Sequence, residues 1–210
     1  MNGRVGKALD FDGSNDYVTL PSALESLTST LTVSMWIKPD SITTPKYPLA
    51  ASYNDGAGDT ANWALELNRT AGKLSFLQNS GVVSLTSDGI VSLDWTHVAV
   101  TRAGTAGSWT NSLYINGVFD SSVSESSNPD GGALATSLAK YGNHATAGWY
   151  DGKMDDVRIY NTALTATQIQ TIYSSSKHTT LNAPQNNKIT DGLVGMWSFN
   201  GPDVTNTLAK

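Results

Sequence analysis

The chain has 210 residues, of which 15% are charged, and its formal net charge is −5. This negative balance disfavours binding to a phosphate backbone, so nucleic acid is not an expected partner. Cysteine is absent, which excludes disulfides and thiolate metal sites, and no stretch approaches the roughly 18 apolar residues of a membrane span. We therefore expect neither nucleic-acid binding nor membrane insertion.

Alternation of apolar and polar residues predicts short β-strands along most of the chain. In the segment from Leu31 to Ile37 the odd-numbered residues are apolar and share one face. Trp36 lies on the opposite face, so we expect that face to be covered as well. Similar patterns predict further strands over residues 63–67, 73–77, 82–85, 95–101 and 154–160.

Two local signals fix a turn and a helix. Asn116 and Gly117 stand between two short apolar runs, and this pair supplies the positive φ values of a type I′ hairpin turn. Thr165 followed by Gln168 forms a capping box, which predicts the start of one short helix. The apolar stripe of that helix is expected to lie against an edge or end of a sheet.

Short strands separated by Gly- and Asn-rich turns predict an all-β fold, a two-sheet antiparallel jelly-roll sandwich with one short helix. We assign residues 1–173 to this sandwich. Residues 174–190 are polar and are interpreted as a linker. Apolar residues return in 191–210, which contain one more strand.

Five segments resemble, in the same order, the laminin-G-like jelly-roll domains of the concanavalin-A-like lectin/glucanase superfamily. They are Gly6–Val18, Thr32–Pro39, Trp95–Thr101, Leu113–Gly117 and Asp151–Asn161. The resemblance continues through the capped helix to Tyr173. It implies the jelly-roll fold but no particular ligand, because this fold carries many functions.

The order of the segments departs from the family at one point. Members usually open with a strand similar to Gly192–Gly201, whereas here that strand comes last. The resemblance therefore implies a domain from a tandem array of repeats. The last strand either begins a truncated next repeat or fills the vacant first-strand position of this domain. We predict that it fills the position and pairs beside Val157–Tyr160, because an open position would leave an unpaired edge.

The carboxylates give no sign of catalysis. Glycanases of this fold need an acid pair that flanks the scissile bond, but Glu25, Glu66 and Glu125 each stand alone. Asp155 and Asp156 are adjacent in a strand, so they are expected to face opposite ways. His97 is interpreted as a hydrogen-bonded sheet residue. We expect no enzyme activity.

The resemblance implies a structural calcium ion. Calcium prefers six to eight oxygen ligands, and two segments resemble those that frame the ion in this family. The candidate ligands are Asp12, Gly13, Asp16, Asp155, Asp156 and Asn200. The alternative is that the first aspartates are turn residues and that the paired aspartates cap a strand end.

Aromatic residues in loops are the candidates for ligand binding, because sugars stack on ring faces while polar side chains hold their hydroxyls. In the alternative interpretation, Trp63 and Trp149 close the ends of the sandwich. Trp36, Trp95 and Trp197 are in strands and are expected in the core. The candidates are Tyr53, Trp63, Trp109, Tyr141, Asn143, His144, Trp149 and Tyr150.

These observations favour a non-catalytic binding module, carbohydrate-binding or adhesive, within a multidomain surface or secreted repeat protein of a bacterium. Its expected partners are a glycan or a cell-surface protein, together with neighbouring repeats of the same chain. The alternative is a purely structural spacer repeat. A glycan-cleaving enzyme is the least supported interpretation, since the necessary acid pair is not found.

Overall fold

The structure is a computed structural model. It describes the whole chain except residues 1, 22–23, 25–26, 28, 44, 52–62, 68–69, 71, 79–81, 129–135, 141–147, 177–188, 201–207 and 210. The described residues form strands and one helix with these bounds: β1 (Leu9–Asp12), β2 (Tyr17–Thr19), β3 (Leu31–Pro39), β4 (Lys46–Ala51), β5 (Trp63–Leu67), β6 (Leu74–Gln78), β7 (Val82–Thr86), β8 (Thr96–Thr105), β9 (Ser108–Ile115), β10 (Val118–Glu125), β11 (Ser137–Leu138), β12 (Asp151–Tyr160), α1 (Ala166–Ser175), β13 (Leu193–Trp197) and β14 (Leu208–Ala209).

The strands form two seven-stranded antiparallel sheets. The first sheet has the order β1-β12-β3-β8-β9-β10, and β13 also pairs with β12. The second sheet has the order β14-β2-β11-β4-β5-β6-β7. The predicted two-sheet sandwich with one short helix is therefore confirmed.

The core lies between the two sheets. Leu31, Val33, Met35 and Ile37 of β3 are all fully buried in it, as the alternation predicted. Each of these side chains contributes on the order of 2 kcal/mol by leaving water. Trp63 of the second sheet also belongs to this core.

Helix α1 covers the outer face of the first sheet. Tyr173 stacks on Trp36 with ring centroids 5.5 Å apart, which leaves Trp36 only 2% exposed. The capping box of Thr165 and Gln168 is formed as predicted. The helix nevertheless lies on the sheet face rather than at an edge, because Trp36 is in the central strand β3. It also continues to Ser175, two residues past the predicted end of the domain.

The last apolar strand fills the predicted position. β13 pairs antiparallel with β12, with Trp197 opposite Val157 and Leu193 opposite Tyr160. β1 occupies the other half of the same edge, with Leu9 opposite Met154. The two short strands thus complete one edge of the first sheet.

Asn116 and Gly117 have φ values of 52° and 77°, which confirms the predicted turn. Trp95 was expected in the core but is only half-buried, because it precedes β8 and lies outside the strand. Most of the predicted linker lies outside the described residues.

Within the described part of the chain, no helix has the length and apolar character needed to cross a membrane.

Candidate functional site

Two aromatic rings and a lysine meet at the surface beside the second sheet. The ring centroids of Tyr17 and Trp149 are 6.0 Å apart and the ring planes are tilted by 52°. Lys140 Nζ lies 4.6 Å from the centroid of Tyr17 and 5.6 Å from that of Trp149. All three side chains are half-buried. We call Tyr17 and Trp149 the aromatic platform.

The fold determines where the two rings lie. In β2, Val18 packs against the core, so its neighbour Tyr17 must face outward. Tyr150 is fully buried, and its hydroxyl donates a 3.0 Å hydrogen bond to the carbonyl of Lys153. Its backbone N–H donates to the carbonyl of Ala139 at 2.9 Å. Because Tyr150 is fixed in the core and bonded to Ala139, the preceding Trp149 lies at the surface beside Lys140, which follows Ala139.

The other aromatic candidates that the structure describes are interior side chains. Trp63 is fully buried in the core, Tyr150 is also fully buried, and Trp109 is only 6% exposed. A buried ring cannot stack on a sugar, so these three are corrected to structural residues. Trp149 remains accessible. Tyr53, Tyr141, Asn143 and His144 lie outside the described residues.

Trp109 is buried beside a polar network between the sheets. Arg102 lies 5.9 Å from the ring of Trp109 and donates to the carbonyls of Ser29 and Leu27 at 2.8 and 2.7 Å. A third bond of 3.0 Å reaches Gln78 Oε1. Burial lowers the pKa of the Arg102 guanidinium to about 10. These bonds satisfy a buried cation, so Arg102 is a structural residue.

Two residues of the platform region were missed by sequence reasoning. Tyr17 belongs to the family-like segment Gly6–Val18, and Lys140 belongs to none of the predicted motifs. Tyr17 could have been predicted as a surface residue, because adjacent residues of a strand face opposite sides and its neighbour Val18 is apolar. Lys140 could not be found, because its position depends on the long-range contact between Ala139 and Tyr150.

The six predicted calcium ligands do not form one cluster. Asp12 accepts hydrogen bonds from the backbone N–H groups of Ser14 and Asn15 at 2.8 and 3.3 Å, as a turn residue does. Gly13 has a φ of 72°, and a Cβ there would come within 2.8 Å of Asp151 Cβ. The turn itself therefore requires glycine. Asp16 follows this turn and directly precedes β2.

Asp155 and Asn200 lie at a second place, beside the N-terminal turn. Asp155 Oδ2 accepts the N–H of Val5 at 2.8 Å, and Asn200 Oδ1 accepts that of Lys7 at 2.6 Å. A Cβ on Gly6 would meet Asn200 Oδ1 at 2.0 Å, so glycine is needed for this approach. Asp155 is fully buried, and this burial raises the pKa of its carboxyl to about 7.

Asp156 lies at a third place, on the side of helix α1. Its carboxylate accepts two hydrogen bonds from Arg158 at 2.9 and 3.0 Å and one from Ser176 Oγ at 2.9 Å. Asp155 and Asp156 thus have different surroundings. Among the described residues, no group of three acidic or histidine side chains could hold a metal ion.

His97 is a hydrogen-bonded sheet residue, as predicted. Its Nε2 lies 2.9 Å from Ser34 Oγ, and Tyr173 packs 5.7 Å from its ring. Burial lowers the pKa of the imidazole to about 3, and the nearby charge of Arg158 adds to this effect. The residue is 1% exposed. A base in that position has no access to a substrate.

One open groove of about 690 Å³ lies between helix α1 and the β9–β10 turn. Val118 contributes an exposed apolar side chain, and Thr167, Gln170 and Thr171 line the helix side. The lining contains neither a charged nor an aromatic residue. This chemistry defines no ligand, whereas the aromatic platform offers ring faces and a cation.

Several solved structures share the fold. A Bacteroides ovatus protein proposed to bind carbohydrate has a TM-score of 0.67 at 18% identity; the match covers 94% of this chain and 52% of that one. This chain thus spans about half of that protein. The CBM40 domain of the Ruminococcus gnavus IT-sialidase, bound to α2,3-sialyllactose, has a TM-score of 0.64 at 13% identity, covering 80% of this chain and 96% of that one.

A third structure is more similar in sequence. Domain 4 of AbnA, an extracellular arabinanase of Geobacillus stearothermophilus in complex with arabinotriose, is 26% identical, with a TM-score of 0.57. The match covers 81% of this chain and 78% of that one. No curated protein matches the sequence.

The sequence itself gives the family. The family model described as the concanavalin A-like lectin/glucanases superfamily matches residues 12–170, which is most of the chain. The matched region runs from the end of β1 into helix α1, and so includes the elements that hold the aromatic platform. The chain belongs to the concanavalin A-like lectin/glucanases superfamily.

Proposed function

We propose that this domain is a non-catalytic carbohydrate-binding module and that the aromatic platform is its binding surface. The observation that carries the proposal is the pair of half-buried rings of Tyr17 and Trp149, 6.0 Å apart at the surface. Sugar rings present apolar C–H faces, and such faces stack on aromatic rings. The remaining aromatic candidates that the structure describes are buried, so among those candidates Trp149 keeps an accessible ring face.

The similar structures support a binding module. The R. gnavus domain is bound to α2,3-sialyllactose and the G. stearothermophilus domain is in complex with arabinotriose. We extend the proposal to an adhesive or glycan-binding role within a multidomain surface or secreted repeat protein of a bacterium. In that setting the partners are a glycan and the neighbouring repeats.

Glycan binding tests the proposal. We expect the purified chain to bind at least one member of a glycan array, and Trp149→Ala to weaken that binding roughly tenfold or more, because about 1.4 kcal/mol of stacking is lost. Affinities would be measured by isothermal titration calorimetry. Tyr17→Ala should act in the same direction.

Trp95→Ala is the matched control, since Trp95 is also half-buried but lies outside the platform. We expect it to leave the affinity unchanged. If no glycan binds, the spacer interpretation replaces this proposal. If Trp95→Ala weakens binding as much as Trp149→Ala does, the binding surface lies elsewhere. Release of sugar from a bound glycan would support an enzyme.

A structural calcium ion is part of the proposal, with a smaller ligand set than the sequence indicated. Asp155 and Asn200 would hold it, since both face the N-terminal turn. The supporting observation is that Asp155 is fully buried and forms no ion pair with a basic side chain among the described residues. A buried carboxylate without a counter-charge is costly, and a divalent cation would supply that charge.

Thermal unfolding tests the ion. We expect calcium to raise the melting temperature and a chelator to lower it, because a ligand that binds only the folded state stabilises that state. Asp155→Asn should remove the response, whereas Asp12→Asn should keep it, because Asp12 lies at a different turn. A melting temperature that does not change between calcium and chelator would contradict the site.

A further inference from the structure

We infer that the aromatic platform selects sugars that carry a carboxylate, and that Lys140 is the residue that selects them. This inference rests on the proposed function and adds the chemical class of the ligand. The observation behind it is the position of the Lys140 ammonium, over both rings on which a sugar would stack.

Lys140 differs from Lys153 and Arg158 in what its charge contacts. Lys153 pairs with Asp10 at 3.0 Å, and Arg158 pairs with Asp156 at 2.9 Å. In the part of the chain that the structure describes, no carboxylate pairs with Lys140, and its ammonium instead lies on the faces of Tyr17 and Trp149. An ammonium that lies on ring faces still has N–H donors that can bind an anion.

The backbone around Lys140 is fixed. Ala139 donates its N–H to the carbonyl of Pro48 at 2.9 Å and accepts one from Tyr150 at 2.9 Å. The carbonyl of Lys140 accepts a 3.2 Å bond from Ser137 Oγ. The Lys140 side chain can therefore change its rotamer, while its backbone stays beside the platform. The ammonium remains near any sugar that stacks there.

Stacking of a sugar displaces the ammonium from the ring faces. A neutral sugar that stacks on the rings replaces the cation–π contacts of Lys140 with a hydrogen bond from the ammonium to a sugar hydroxyl. A carboxylated sugar accepts the same kind of hydrogen bond with a negatively charged oxygen, so the Coulomb attraction between ammonium and carboxylate is added to it. The platform should therefore prefer the acidic sugar. Since the chain has a net charge of −5, general attraction of anions does not explain such a preference.

Matched pairs of glycans test the inference. The first pair is a uronic-acid oligosaccharide and its carboxyl-reduced form, and the second is sialyllactose and lactose. The two pairs distinguish a uronic acid from a sialic acid as the source of the carboxylate. For at least one pair, we expect the acidic member to bind wild-type chain at least tenfold more tightly, and the difference to shrink as salt is added.

Variants then assign the preference to one side chain. Lys140→Met should reduce the difference between the members of the pair to about twofold or less while the neutral member still binds, whereas Lys140→Arg should keep the difference. Lys7→Met removes the same charge from an exposed lysine away from the platform, and it should change neither affinity. Circular dichroism melts would verify that each variant folds.

The outcomes separate the inference from the function on which it rests. If both members of each pair bind with equal affinity and Trp149→Ala weakens both, the inference is overturned and the proposed function stands. If the acidic preference persists in Lys140→Met, another cation selects the ligand and the inference is also overturned. If neither member of either pair binds, the inference is overturned, and the full array decides the proposed function.

Discussion

His97 lies beneath helix α1, with Trp36 and Tyr173 packed around its ring at centroid distances of 5.3 and 5.7 Å. Its Nε2 is paired with Ser34 Oγ, while Nδ1 is buried and has no hydrogen-bond partner among the residues that the structure describes. Protonation would place a charge in this apolar space, near the guanidinium of Arg158. The pKa of the imidazole therefore falls to about 3, mainly through burial.

This shift predicts loss of stability in acid. The unfolded chain binds a proton at His97 below about pH 6.5, while the folded chain keeps the imidazole neutral down to about pH 3. The contribution of His97 is complete above pH 6.5 and is lost as the pH falls towards 3. We expect a limiting slope of about 1.4 kcal/mol per pH unit in the free energy of unfolding.

Urea unfolding of wild type and His97→Gln between pH 4 and pH 7 measures this slope. The variant should be less stable at pH 7 and lose less stability in acid, so the two curves converge. Asp155 changes the free energy of unfolding in the opposite direction, because its raised pKa makes protonation favour the folded state. Its effect is common to both proteins and cancels in the difference. Parallel curves would contradict the assignment to His97.

Helix α1 is the element that covers the outer face of the first sheet. Ile169 and Ile172 are buried with Tyr160 and Leu164, while Tyr173 lies on Trp36. The N-terminus is closed by Thr165, whose hydroxyl accepts the N–H of Gln168 at 3.3 Å. A helix of ten residues is too short to be stable alone, so it depends on its cap and on packing.

Loss of the cap should destabilise the domain modestly. We expect Thr165→Ala to lower the free energy of unfolding by about 1 kcal/mol, because one N–H loses its partner. Thr167→Ala is the matched control, since that side chain is exposed and lies within the first turn. Urea denaturation measures both. A larger loss for Thr167→Ala than for Thr165→Ala would exclude capping as the cause.

At the scale of the whole molecule, the sequence predicted the strands of the core better than the site. Alternation in β3 indicates which side chains face the core between the sheets, so Leu31 and Ile37 were assigned correctly. The pairing of β13 with β12 was predicted because an unpaired apolar edge is unfavourable. The resemblance to a known family then supplied the order of the elements.

The site could not be predicted in the same way, because it depends on long-range contacts. Trp63 and Trp149 each stand beside a glycine- or alanine-rich segment, yet one is in the core and the other is at the surface. Burial of the adjacent Tyr150, against Phe11 at 6.2 Å, decides the position of Trp149. The local sequence pattern does not predict the contact between Phe11 and Tyr150, nor the hydrogen bond between Tyr150 and Ala139 that brings Lys140 to the rings.

β13 and β1 come from opposite ends of the chain and share one edge of the first sheet. Asn200, just after β13, holds the backbone N–H of Lys7, just before β1. These contacts do not depend on which segment is translated first, as circular permutation of other domains demonstrates. A circular permutation that joins the two ends of this chain and opens a loop elsewhere would preserve them. The stability of this edge therefore depends on the pairing of the two strands and not on their order in the chain.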